Sequence, residues 1–101
     1  MDATTKELRE FLVMMHYKPE SVSQKMTHYM EHLSHLLPVA EEEDVLHYFG
    51  ILGHEQLSLD ELAQKRRLSP NAVLSSIDKS LRKLAITPEW QMIKGGGSPQ
   101  D

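Results

Sequence analysis

Small polar and basic side chains recur on one side of the stretch LSPNAVLSSIDKSLRKL, residues 68–84. At about 100° per residue of α-helix, one face carries Asn71, Ala72, Ser75, Lys79 and Arg82. An asparagine amide can pair with adenine in the major groove of DNA, and an alanine can contact a thymine methyl group. The pattern is typical of a helix that contacts DNA, although its first two turns hold no arginine.

Hydroxyl and basic side chains around this face are the remaining candidates for DNA contact. Ser75 and Ser76 can bond a base or a phosphate. Six cations suit phosphates, which position a protein on DNA without reading its sequence: Lys65, Arg66, Arg67, Lys79, Arg82 and Lys83. Asn71 is the single bidentate reader among these candidates, so we expect weak, salt-sensitive DNA binding with little base preference.

Three histidines recur on another predicted helix. His28, His32 and His35 lie at i, i+4 and i+7, and imidazoles at i and i+4 can chelate Zn²⁺ or Ni²⁺. The alternative is that they are half-exposed residues beside an apolar stripe. We favour this alternative, because no cysteine and no second helix is tied to them by sequence. Three nearby imidazoles are also a candidate for a pH-sensitive face.

No arrangement typical of an enzyme stands out in the sequence. It contains no clear nucleophile–base pair, carboxylate pair or phosphate-binding glycine loop, since its glycine cluster belongs to the ending GGGSPQD. The absence of cysteine excludes disulfides and thiolate metal sites. We therefore expect a non-enzymatic protein without a cofactor.

The 101-residue chain has a formal net charge of −4 that is unevenly distributed. Residues 38–61 hold seven acidic side chains and no lysine or arginine, whereas residues 62–94 hold seven basic side chains and two acidic ones. This pattern indicates either two faces of opposite charge, or charges placed to suit helix ends. The negative sum argues mildly against non-specific nucleic-acid binding.

The length of the chain suits one domain with a small core. The opening residues MDATTKELREFL lack the basic start and apolar run of a signal peptide. No apolar stretch approaches the length of a membrane span. We expect a soluble cytoplasmic protein that does not bind membranes.

Apolar periodicity predicts an all-α fold of five helices. The predicted helices cover residues 4–16, 20–37, 40–48, 58–67 and 70–86. A short turn between the last two is typical of a helix-turn-helix. The predicted organisation is an extra N-terminal helix (1–19), a helix-turn-helix domain (20–94) and a flexible tail (95–101).

The last three predicted helices should share one apolar core. Its expected members are Val45, Leu46, Phe49, Leu59, Leu62, Val73, Ile77, Leu81 and Leu84. Leu8, Phe11, Leu12 and Met15 form one apolar side of residues 4–16. This side should pack on the 20–37 helix, because a lone helix of that length is marginal in water. Trp90 should fold back onto the domain.

An ordered series of short motifs runs from Met30 to Trp90. The motifs are Leu37-Pro38, Val45-Leu46, Phe49-Gly50, Ser58-Leu59-Asp60-Glu61 and Ser80-Leu81-Arg82-Lys83-Leu84. In this order and spacing, the stretch resembles the fourth region of housekeeping-type bacterial sigma factors. The resemblance implies a non-enzymatic helix-turn-helix that reads the upstream (minus thirty-five) promoter element and docks on the flap of the RNA polymerase β subunit.

The chain also departs from the pattern of that family. The family has arginines, a glutamate and a glutamine in the first turns of its reading helix, where this chain has Pro70, Asn71, Ala72, Leu74 and Ser75. Residues 1–25 lie outside the pattern, and the chain has no region to melt promoter DNA. The resemblance therefore implies a fold and a class of partner rather than a promoter sequence.

Three hypotheses follow from these patterns. The first is a transcription regulator that contacts DNA weakly, together with RNA polymerase or its sigma factor. The second is a protein–protein adaptor, anti-sigma-like for example, that uses the same scaffold without reading DNA. The third is a helical module that forms a homodimer through residues 4–16.

Overall fold

The computed structural model describes residues 3–94. Within that range the helices are α1 Ala3–Tyr17, α2 Gln24–Ser34, α3 Val39–Phe49, α4 Leu59–Arg66, α5 Pro70–Ala85 and α6 Pro88–Lys94, with a 3₁₀ turn at Pro19–Ser21. The described residues contain no strand, so the predicted all-α class is confirmed. The predicted tail, residues 95–101, lies outside the described residues.

The prediction of five helices is wrong, because the described residues contain a sixth, α6. Thr87 both ends α5 and begins α6: its hydroxyl donates to the Leu84 carbonyl at 2.6 Å and accepts from the Trp90 amide at 3.2 Å. Pro88 then occupies the first turn, where its missing N–H costs no hydrogen bond. A proline just after a helix is also typical of a helix end, so the sequence alone does not predict that α6 begins here.

Serine caps define where the helices begin. Ser23 accepts a hydrogen bond from the Met26 amide, so α2 begins later than predicted, after the 3₁₀ turn that Pro19 opens. Ser58 and Glu61 form the predicted capping box at α4, with bonds of 2.9 and 3.1 Å. Each cap satisfies an amide that the helix itself leaves without a partner.

The predicted core is largely correct. Of its nine residues, Leu59 is only half-buried, and the other eight are 5% exposed or less. The same apolar cluster extends to α1 and α6 through Leu8, Leu12, Trp90 and Ile93. The apolar residues of all six helices therefore join in one core.

The packing of α1 differs from its prediction. It packs chiefly on α5, α3 and the 3₁₀ turn, whereas α2 packs on α6. Trp90 of α6 is 2% exposed, and its ring lies 5.6 Å from that of Phe11. The prediction that Trp90 folds back onto the domain is confirmed. The unpredicted helix α6 is the main partner of α2, and it also contacts α1 through Trp90 and Lys94.

None of the helices within residues 3–94 combines the length and apolar character needed to span a bilayer.

Candidate nucleic-acid interface

A three-residue turn joins α4 to α5 and sets the geometry of the candidate interface. Arg67 has a φ of 56°, a left-handed conformation that reverses the chain. The Leu68 amide donates to the Ala63 carbonyl at 2.9 Å, which closes the end of α4. Ser69 then caps α5 by accepting from the Ala72 amide at 3.1 Å, with Pro70 in the first turn. Both ends of the turn are thus fixed by hydrogen bonds.

The exposed face of α5 is the one that its periodicity predicts. The side chains on the solvent side belong to Asn71, Ala72, Ser75, Lys79, Arg82 and Lys83, and Ser76 is half-buried at its edge. Val73, Ile77 and Leu81 on the opposite side are at most 1% exposed. No hydrogen bond or ion pair from another described residue occupies the side chains of Asn71 and Ser75. The side-chain polar atoms of Asn71 and Ser75 are therefore accessible to a ligand.

Arg66 is engaged within the chain. Its guanidinium forms an ion pair with Asp44 and also donates to the Ala40 carbonyl at 3.4 Å, so it joins α4 to α3. Asp44 is 3% exposed. Burial raises the pKa of the Asp44 carboxyl above its ordinary value of 3.8, and the positive charge of Arg66 offsets only part of that effect. A phosphate at Arg66 would have to compete with a buried carboxylate.

Lys83 also has an internal partner. Its ammonium nitrogen lies 3.4 Å from a carboxylate oxygen of Glu41, which accepts from the Ser80 hydroxyl at 3.3 Å as well. Lys83 remains more than half exposed, so this ion pair is weak and can exchange with a phosphate. Of the six cations predicted to contact phosphates, four have no ion-pair partner among residues 3–94: Lys65, Arg67, Lys79 and Arg82.

The acidic run at the start of α3 mostly serves contacts between helices. Glu41 and Asp44 pair with α5 and α4, as described above. Glu42 accepts from the Ser34 hydroxyl at 2.8 Å and lies 2.7 Å from the His35 ring. Of the acidic residues 41–44, Glu43 is the one that is exposed and has no ion-pair partner among the described residues. The sequence pattern of an acidic middle and a basic third therefore reflects, in part, ion pairs inside the chain.

The three histidines of the candidate metal cluster do not converge. His28 and His32 face each other, with 3.1 Å between their Nε2 atoms. The ring of His35 lies against Glu42 instead, with its Nδ1 atom 2.7 Å from the carboxylate. In the described part of the chain, no group of three or more His, Cys, Asp or Glu side chains is arranged to hold a metal ion. The three-histidine arrangement considered from the sequence is wrong.

The apolar side of α1 is buried inside this chain. Leu8, Leu12 and Met15 belong to the core. Of the apolar side chains in residues 4–16, Val13 and Met14 are the ones left exposed for a homodimer contact. The homodimer hypothesis stays a prediction, but the apolar side of α1 that suggested it is covered by other helices of the same chain.

Two features of this region were not predicted from the sequence. One is the Arg66–Asp44 pair, whose members lie 22 positions apart. The other is a cavity of about 460 Å³ between α1, the end of α3 and the loop before α4, lined by Arg9, Tyr48 and Gln56 among others. Both features form between helices that come together only in the folded chain, so no local sequence motif predicts them.

Comparisons of the chain with protein-family models, with curated proteins and with solved structures gave no match. The resemblance to the fourth region of sigma factors therefore stays a prediction, which depends on the motifs between Met30 and Trp90.

Proposed function

We propose that this protein is a transcription regulator that contacts DNA weakly through a helix-turn-helix formed by α4 and α5. The observation that carries the proposal is the composition of the exposed face of α5. It combines an unoccupied amide at Asn71 and an unoccupied hydroxyl at Ser75 with two unpaired cations, Lys79 and Arg82. The second helix of such a motif enters the major groove with its N-terminal residues toward the bases.

The proposed division of labour follows the position of each side chain along α5. Asn71 and Ala72 lie in the first turn, where a reading helix meets base edges. Lys79 and Arg82 lie two to three turns later, where they suit phosphates. Lys65 lies in the last turn of α4, and Arg67 follows it in the turn that leads to α5. With four unpaired cations and one bidentate amide, most of the binding free energy comes from phosphates.

Weak DNA contact requires a second source of affinity in this proposal. The resemblance to sigma factors suggests RNA polymerase, at the flap of its β subunit, or a sigma factor as the partner. A tethered partner raises the effective concentration of DNA at α5 without any new base contact.

Charge reversal on α5 tests the proposal. The double variant Lys79→Glu, Arg82→Glu should abolish DNA binding measured by fluorescence anisotropy with a labelled duplex, because it removes two of four phosphate contacts and adds two repulsive charges. The matched control is Lys6→Glu, Lys18→Glu, which makes the same charge change at exposed positions on and just after α1. This control should bind DNA like the unchanged chain.

Salt dependence gives the same test a second readout. With four phosphate contacts, the logarithm of affinity should fall with the logarithm of salt with a slope of about −3.6, roughly a hundredfold loss between 50 and 200 mM salt. Equal binding by the unchanged chain and the α5 double variant would contradict the proposal. A DNA affinity that does not respond to salt would contradict the phosphate mechanism.

One observation favours the alternative, a protein–protein adaptor that does not read DNA. Arg66 pairs with the buried Asp44, and Lys83 pairs weakly with Glu41, which leaves a sparse basic surface on a chain of net charge −4. Capture of purified RNA polymerase or sigma factor by the chain, before and after nuclease treatment, separates the two functions. Nuclease-resistant capture that the α5 double variant retains would favour the adaptor.

A further inference from the structure

We propose that His28 and His32 form a two-histidine site on α2 for a late first-row divalent metal ion, such as Zn²⁺, Ni²⁺ or Cu²⁺. The site is independent of α4 and α5, and it differs from the three-histidine arrangement because the protein supplies only two ligands. Imidazole nitrogen suits these metals, whereas Mg²⁺ and Ca²⁺ prefer oxygen ligands. Water supplies the remaining coordination positions.

The distance between the two rings matches that of a chelate. The Nε2 atoms of His28 and His32 are 3.1 Å apart. For metal–nitrogen bonds of about 2.0–2.1 Å, neighbouring ligands are about 2.9 Å apart at a right angle and about 3.4 Å apart at the tetrahedral angle. The observed distance lies between these two values. A metal ion can therefore bind both rings without any change in the helix.

The orientation of the rings is also suitable. The ring planes are nearly perpendicular, at 89°, and the centroids are 4.5 Å apart; the Nε2 atoms are closer than the centroids, so these nitrogens lie in the space between the two rings. A carboxylate oxygen of Glu31 lies 3.7 Å from Nδ1 of His28. A carboxylate on this side of a ring favours the proton on Nδ1 and leaves Nε2 free for a metal.

The helix holds the two histidines in register and leaves them accessible. His28 and His32 lie one turn apart within α2, which the Ser23 cap and the buried side chains of Met30 and Leu33 fix in place. The His28 side chain is 64% exposed. The ring of His35 is held by Glu42 instead, which makes it a natural control on the next turn.

Isothermal titration calorimetry of the full chain without a purification tag tests the site, with NiCl₂ and ZnCl₂ as the probes. The unchanged chain should bind one metal ion. His28→Ala and His32→Ala should each lower the affinity at least about tenfold, since losing an outer-shell partner already costs ten- to a hundredfold. His35→Ala should bind like the unchanged chain, and circular dichroism should give the same helix content for all four proteins.

A second measurement identifies the ligating atoms. Long-range ¹H–¹⁵N NMR of the imidazoles during a Zn²⁺ titration should shift Nε2 of His28 and His32 and leave the rings of His35 and His47 unchanged. Absence of binding at millimolar metal would overturn the proposal. So would undiminished binding by His28→Ala and His32→Ala, or an equal loss of affinity in His35→Ala.

Discussion

At the scale of single residues, the candidate DNA surface depends on which basic side chains already form ion pairs within the chain. Arg66 looks equivalent to Arg67 in the sequence, but its guanidinium faces the buried carboxyl of Asp44. Sequence spacing predicts which face of a helix a residue occupies, and it does so correctly for Asn71 and Lys79. It carries no information about a partner 22 positions away on another helix.

Replacement of Arg66 should therefore affect stability before it affects DNA binding. Arg66→Met keeps the length of the side chain but leaves the Asp44 carboxylate buried without its cation. Breaking a buried pair from one side costs about 3–5 kcal/mol, and partial exposure of Arg66 reduces this to about 1–3 kcal/mol. Urea denaturation monitored by circular dichroism measures the loss. Arg82→Met, on the exposed face of α5, is the control and should cost under about 0.5 kcal/mol; an equal loss in both variants would exclude a stabilising role for the pair.

The raised pKa of Asp44 predicts how stability depends on pH. A group whose pKa is higher in the folded state binds protons more tightly there, so its favourable contribution is complete below the ordinary value of 3.8 and is lost as the pH rises through the folded-state pKa. Asp44→Asn removes this titratable carboxyl group. The stability of the unchanged chain relative to Asp44→Asn should thus decrease from about pH 3 to pH 7. A relative stability that increases over this range would mean that Arg66, not burial, dominates the pKa of Asp44.

At the scale of helices, local sequence signals predicted where helices lie better than they predicted which helices pack together. Apolar periodicity and the Ser58 and Ser69 caps located α4 and α5 to within one or two residues. Helix α6 was missed because Thr87-Pro88 serves as a cap and a first turn, a signal that also resembles a stop. The main partner of α1 was also mispredicted, because apolar periodicity identifies the buried side of a helix but not the helix that covers it.

The inward face of α5 has a direct test. Ile77→Ala should destabilise the chain by about 2–5 kcal/mol, because Ile77 is 1% exposed and its truncation leaves a cavity in the core. Ile86→Ala is the matched control: Ile86 follows α5 directly and is 82% exposed, so its truncation should cost under about 0.5 kcal/mol. Urea denaturation of the two variants measures both losses of stability. A cost under half a kcal/mol for Ile77→Ala would mean that the core face of α5 is misassigned.

At the scale of the whole molecule, ion pairs between helices reduce the charge that is left for partners. Asp44 and Glu41 of α3 form ion pairs with Arg66 of α4 and Lys83 of α5. Charges that lie 22 and 42 positions apart in the sequence therefore offset each other in the fold. What remains is a limited basic surface beside the exposed face of α5, on a chain with an excess of acidic residues. Composition predicted the two charged regions, but only the fold determines which of their charges are free.

The most direct test of the proposed DNA contact is an NMR titration of the ¹⁵N-labelled chain with a short DNA duplex at low salt. We expect the amide shift changes to concentrate in residues 65–83, on the turn between α4 and α5 and on the exposed side of α5. They should reverse when salt is raised to about 200 mM, because phosphate contacts are lost. Shift changes confined to other helices, or no shift changes at DNA concentrations that saturate weak binding, would contradict the proposed DNA contact.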